Sequence, residues 1–141
     1  MPVINAAIGE GTIIYQPELV NIYGAIIGER CRIGAFVEIG PSVIGDDCNI
    51  QAKVFIPANV LIRNHVFIGP GVIFCNDKYP PSNGAWQADV ATVVDEGASI
   101  GAGAIILPAV RIGAKARIAA GAIITKDVAA GELSYGAKGP R

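Results

Sequence analysis

Aliphatic residues recur along this chain every six positions: Ile8, Ile14, Val20, Ile27, Ile33, Ile39, Ile44, Ile50, Ile56, Ile62, Ile68 and Phe74. After a gap the series resumes at Val94 and runs Ile100, Ile106, Ile112, Ile118, Ile124 and Ala130. The first run slips once up and once down; the second has no slip. Two residues before each anchor stands a small or β-branched residue, such as Ala25, Cys31, Val37 and Cys48, with Glu18 the one exception. Two inward positions separated by one outward position is the alternation of a strand. A period of six is too short for a helical repeat and suits one short strand plus one corner. Nine of the nineteen anchors are followed by glycine, which reads as a corner residue whose backbone conformation other residues reach only with strain.

Each hexad therefore predicts one side of a prism, and three sides predict a coil of about eighteen residues. The longer period is visible too: SIGAGAIIL at 99–107 and RIAAGAIIT at 117–125 are near-copies displaced by eighteen. Nineteen hexads predict about six coils, stacked roughly 4.8 Å apart by parallel-strand hydrogen bonds. The expected fold is all-β, a triangular parallel β-helix in a single domain spanning 1–141. An antiparallel sandwich would instead carry turn signals about every 8 to 12 residues. Cys31 and Cys48, at the small inward position, are expected to be core spacers rather than ligands.

The rhythm breaks once. After Phe74 the next anchor is due at position 80 but arrives at Val94, so about fourteen extra residues leave the prism in a protruding loop, about 75–91. Long excursions from a rigid scaffold carry function or are disordered. This one, FCNDKYPPSNGAWQADVA from Phe74 to Ala91, holds Tyr79, Trp86 and the Pro80-Pro81 pair, which favour order on packing against a surface.

Composition narrows the function classes. The chain has 141 residues, 52% hydrophobic and only 16% charged, with a net charge of −1, so disorder is not expected and no basic stripe is available to bind nucleic acid. No apolar run approaches the roughly 18 residues of a membrane span, and no charged segment followed by an apolar run opens the chain. A soluble, cytoplasmic protein is expected. The three cysteines have no C-x-x-C spacing, which argues against a disulfide framework and against structural zinc.

The repeat resembles that of the hexapeptide-repeat acyltransferases over nearly the whole chain, and this resemblance implies a left-handed β-helix that forms homotrimers. The segment GVIFCNDKYPP is similar to the G-V-x-F-T-N-D-x-Y-P-R signature of the sugar-nucleotide amino-sugar N-acetyltransferases in that superfamily, and IITKDVAAG is a second likeness. The likeness implies an acetyl-CoA-dependent N-acetyltransferase acting on an amino-sugar, expected to be nucleotide-linked. The loop would wall the active site at a subunit interface. Asn76 then matches the asparagine beside the reacting amine and thioester, Asp77 the acid after it, and Lys78, Tyr79 and Trp86 are candidate substrate contacts.

The chemistry agrees with that assignment. Acyl transfer needs a nucleophile held about 3 to 3.5 Å from the carbonyl and donors for the developing oxyanion. Asn76 can donate or accept, and Asp77 can fix an ammonium or take its proton. Asn-Asp also favours turns. For the cofactor, Gly101, Ala102 and Gly103 are expected to stack with Ala119, Ala120 and Gly121 at one corner, where a pantetheine arm could reach the backbone; tight corners also demand small residues for packing alone. Lys126, Lys115 and Arg141 are candidate phosphate contacts.

His65, the only histidine, is expected at a solvated corner. It is the base that an O-acetyltransferase reading would need, and a lone histidine excludes a three-histidine zinc site, so no metal is expected. Two departures from the signature stand out. Pro81 occupies the place of an arginine, which puts contacts to a nucleotide diphosphate in question. The ending SYGAKGPR differs from the family's G-N-P-A segment and implies an altered CoA tail site. With those losses, a non-catalytic β-helix scaffold or binding module is the alternative from a different class.

Overall fold

A computed structural model describes residues 2–137. It is a left-handed parallel β-helix built of two- and three-residue strands in three sheets of seven, six and seven strands. The chain visits the faces in strict rotation. The first face runs from Val3–Ile4 through Asn21–Tyr23, Phe55–Ile56 and Ile73–Phe74 to Ile123–Ile124; the second from Ala7–Ile8 to Arg111–Ile112; the third from Ile13–Ile14 to Leu133–Ser134. Every pairing is parallel and in register, for example Phe74 with Ile106 and Ile106 with Ile124. Anchors therefore stack on anchors, and the anchor isoleucines from Ile22 to Ile112 fill the prism with almost no exposed surface.

About seven coils result, one more than the hexad count gives, because the chain is already in the prism at Val3, before the first anchor. Two anchors also move. Pro17–Leu19 forms a 3-10 turn in place of a strand, since proline has no N–H for the ladder. The anchor of that coil becomes Ile22, paired with Ile39, and Val20 takes the small inward position two before it. This removes the Glu18 exception. At the other end Ala130 is exposed; Val128 is buried instead and bridges Ile112, while the Asp127 carboxylate accepts the Arg111 N–H at 2.9 Å.

The glycines after the anchors have a different cause from the one expected. The left-handed corner conformation falls two residues later, at positions such as Arg30 (φ 56°), Asn59 (φ 67°) and His65 (φ 59°). The glycine itself is required because the next coil passes so close: a Cβ on Gly9 would lie 2.5 Å from the Gly28 carbonyl carbon, and one on Gly101 2.5 Å from the Ala120 nitrogen.

Cys31 and Cys48 are buried at the small inward position, and each thiol donates to a carbonyl of the following coil, Gly45 at 3.1 Å and Arg63 at 3.0 Å. The outward columns differ between faces. Phe55, Ile73, Ile105 and Ile123 line the first face beyond Asn21 and Glu38, and Ile26, Val43, Leu61 and Val93 line the second up to Arg111. The third face presents Arg32, Asn49, Ser99 and Arg117 in the same slots, interleaved with Phe67 and ending in Ile13 and Leu133. Among the described residues no helix is long and apolar enough to cross a membrane.

Candidate functional site

The loop leaves the prism at the edge where the first and second faces meet, between Ile73–Phe74 and Thr92–Val94. Its two ends are pinned. Cys75 donates its N–H to Ile106 O at 2.8 Å, and Thr92 donates to Asn59 O at 3.2 Å. Buried hydroxyls stiffen this edge: Ser42 Oγ donates to Pro57 O and accepts the Val60 N–H, and Thr92 Oγ1 accepts the Ala109 N–H.

Within the loop, Asp77 is the organiser. One carboxylate oxygen accepts the Tyr79 N–H at 3.1 Å and the other the Ser82 N–H at 2.9 Å. The Ser82 backbone bond chiefly holds this carboxyl below the usual carboxylate range. A tight turn comes next, with Ala85 donating to Ser82 O at 2.9 Å and positive φ at both Asn83 and Gly84, the pattern of a type I′ turn. Trp86 then packs in a T-shaped arrangement with Tyr79, ring centroids 5.9 Å apart at 87°, with Lys78 Nζ 5.6 Å from the Tyr79 ring centroid.

Between loop and prism lies an open cleft of about 520 Å³. Asn76, Asp77 and Trp86 line it, together with Asn59, Asn83 and Gln87. The structure thus brings three of the expected residues together. Lys78 and Tyr79 are not among the lining residues and sit on the exposed side of the loop. Cys75, beside Asn76, also lines the cleft, and burial raises its thiol pKa, which favours the neutral form.

The expected cofactor residues divide between edges. Gly101, Ala102, Gly103, Ala119 and Ala120 lie where the third face meets the first, one full face away from the loop. Lys126 shares the loop's edge, two coils on and about 10 Å along the axis, where it lines a second hollow with Thr125 and Ser134. His65 and Lys115 occupy the remaining edge, between the second and third faces; both are exposed. Within one chain the width of the second face separates His65 from Asn76. Arg141 lies outside the described residues.

Asn59 and Gln87 escaped the sequence reading. Asn59 stands one coil before the loop, and stepping back seventeen residues from Asn76 reaches it. Gln87 and Asn83 carried no signal beyond their place in the loop.

The sequence pattern of the family Bacterial transferase hexapeptide (six repeats) matches residues 24–58 and 91–126, half of the chain. Among curated relatives, the bifunctional protein GlmU of Thermotoga petrophila is 35% identical over 113 residues, 80% of this chain and 24% of that protein. GlmU of Synechococcus sp. RCC307 is 31% identical over 131 residues, covering 93% of this chain and 27% of the relative. The chain thus spans about a quarter of these relatives' length. Among solved structures, a hexapeptide transferase family protein from Anaplasma phagocytophilum superposes with a TM-score of 0.73 at 21% identity, covering 91% of this chain and 72% of that one. A mutant of perosamine N-acetyltransferase from Caulobacter crescentus, in complex with CoA and GDP-perosamine, gives 0.67 at 21% identity over 95% of this chain and 54% of that one. At such identities these structures support the fold alone.

Proposed function

The chain belongs to the bacterial transferase hexapeptide family, and from that premise we propose that it transfers an acetyl group from acetyl-CoA to the amine of an amino-sugar, nucleotide-linked in its natural form. The observation that carries this reading is the cleft under the loop, in which Asn76 faces a carboxamide-rich, half-open space beside a rigid prism edge. Solved neighbours with this fold include an N-acetyltransferase and an N-acyltransferase bound to CoA and a nucleotide-linked amino-sugar.

The chemistry needs little from the protein beyond positioning. An amine with a pKa like that of an α-amino group, about 7.7 to 8.0, is already roughly a tenth to a sixth neutral at pH 7. It attacks the thioester carbonyl, the C–N bond forms, and collapse of the tetrahedral intermediate breaks the C–S bond. Asn76 orients the amine or donates to the developing oxyanion. Asp77, whose oxygens already accept two backbone N–H groups, serves by ordering the turn that follows Asn76. The ammonium proton goes to water, and the CoA thiolate is finally reprotonated. A hydroxyl acceptor would need a base at the cleft, and His65 stands on another edge of its own chain.

The reading includes a homotrimer working in the cytoplasm. The apolar outward columns of the first and second faces flank the loop's edge on both sides, and apolar area of that extent calls for cover by a second copy. Sedimentation equilibrium at micromolar concentration checks the assembly: a monomer would remove the interfacial site. Thermal-shift titration with acetyl-CoA tests the cofactor, since a ligand at 100 times its Kd adds about 2.7 kcal/mol of stability. Incubation of amino-sugars and their hydroxyl counterparts with acetyl-CoA tests the acceptor, and acetylation of the hydroxyl series alone would overturn the reading.

A further inference from the structure

Four side chains that carry carboxamides, Asn59, Asn76, Asn83 and Gln87, line one cleft with Trp86. They come from separate places: Asn59 from the corner one coil below, Asn76 from the loop's root, Asn83 from its tight turn, Gln87 from its return. No side-chain hydrogen bond to the protein engages any of the four among the described residues, so their donors and acceptors face the cleft's solvent. A carboxamide offers donors and an acceptor together, which is what a ring hydroxyl, itself donor and acceptor, requires. The indole of Trp86 beside them supplies apolar surface for the C–H groups of a sugar ring.

The cleft's charge points the same way. Among the described residues no Lys, Arg or His lines it, and its only ionic group is Asp77. A phosphate placed there would meet a carboxylate and no cation. The cations of this region stand outside: Lys78 lies over the Tyr79 ring, and Lys126 is two coils away.

We propose that this cleft reads the hydroxyls of the acceptor's sugar ring and excludes its phosphates, with Asn59 as a specificity-determining residue. The proposal rests on the amino-sugar reading above. Any diphosphate the acceptor carries lies beyond the cleft, toward Lys126 or a neighbouring subunit, and contributes nothing to recognition within it. Asn59 suits the role because its backbone is already fixed. Its N–H donates to Pro41 O at 3.0 Å and its carbonyl accepts from Thr92, which leaves the side chain presented from a rigid corner.

The test uses Trp86, the only tryptophan, as reporter. The full-length protein is titrated with methyl glycosides of 2-, 3- and 4-amino-hexoses, monitoring quenching of Trp86 fluorescence, and each titration is repeated with inorganic pyrophosphate as competitor. Saturable quenching that pyrophosphate does not displace is expected. The variant is Asn59→Gly, because glycine accepts φ 67° without strain and the fold is retained. With the glycoside that is acetylated, Asn59→Gly is expected to raise KM about fivefold, the scale of one lost hydrogen bond, with kcat within about twofold. That penalty disappears for the one deoxy-glycoside lacking the hydroxyl Asn59 reads.

Each result decides. Pyrophosphate competition, or an unchanged KM in Asn59→Gly with transfer intact, overturns the cleft assignment and leaves the transferase reading standing. Glycoside binding that Asn59→Gly weakens, without acetylation of any amine, supports the cleft and sinks the transferase reading. Quenching by no glycoside, in a protein that circular dichroism shows folded, overturns the proposal outright.

Discussion

The Asp77 carboxylate accepts the Ser82 N–H at 2.9 Å across five residues of sequence, and this bond closes the first turn of the loop. Its folded-state pKa lies below the ordinary 3.8, with that backbone bond the first cause. The bond's contribution is therefore complete above the unfolded carboxylate's pKa and is lost as pH falls through the lower folded value. Trp86 fluorescence is expected to stay constant from pH 8 to about pH 5 and to change as acidification protonates Asp77. In Asp77→Ala the spectrum is shifted at neutral pH and its acid transition is missing. A wild-type transition retained in Asp77→Ala removes Asp77 from this role.

Removing the loop should spare the prism. The anchors on both sides, Phe74 and Val94, are fully buried by their own coils, and Cys75 and Thr92 are held by the ladder rather than by loop contacts. Deleting residues 78–89 and bridging with Gly-Ser is expected to leave the circular dichroism spectrum and cooperative melting in place while abolishing acetyl transfer. A variant that unfolds, or that stays active, would falsify the assignment of the loop to function.

The hexad period made the fold readable because each inward position is a separate, local instance of one rule. Ile39, Ile56 and Ile106 obey it without reference to one another. The failures fall where the ladder is broken by particular chemistry. Pro17 cannot donate and adds a turn; Asp127 substitutes its carboxylate for a backbone acceptor and shortens a corner. Neither effect has a periodic signature. At the site, Asn76, Asp77 and Trp86 were legible because they interrupt the period. Asn59 was not, since its meaning depends on which corner lies beneath the loop. The placement of Gly101 and Ala119 on another edge likewise needs the face rotation, because a run of small residues reads the same on every edge.

Two glycines in one corner separate two physical causes. A Cβ on Gly101 would stand 2.5 Å from the Ala120 nitrogen, whereas one on Gly103 meets nothing within 4 Å and only the strain of φ 68°. Gly101→Ala must push apart two hydrogen-bonded coils and is expected to cost about 2 to 3 kcal/mol, at the upper end of overpacking. Gly103→Ala should cost about 1 to 2 kcal/mol, the penalty of a left-handed residue. Urea denaturation of both variants checks the order, and a larger loss in Gly103→Ala would show that the spacing of the coils yields more readily than the turn.

The mechanism predicts an asymmetry between Asn76 and His65. Asn76 lines the cleft at the loop's root, and its side chain has no structural hydrogen bond among the described residues, so truncating it should leave the fold intact. If it orients the amine or donates to the oxyanion, Asn76→Ala lowers kcat by about 10² or more, the scale of one well-placed polar group at a reacting centre. His65 is exposed at a corner between the second and third faces. Its φ of 59° means that His65→Asn keeps a residue tolerant of that conformation, where alanine would add strain. Both His65→Asn and His65→Ala are expected to change kcat less than about threefold, because an amine already partly neutral at pH 7 needs no imidazole to deprotonate it. The pH profile sharpens the test. With the acceptor amine as the titrating group, kcat/KM rises with pH toward the amine's own pKa in wild type and in both His65 variants alike. Steady-state kinetics in which the His65 variants collapse while Asn76→Ala turns over normally would reverse the assignment. Acyl transfer would then depend on a base delivered from His65 of a neighbouring copy.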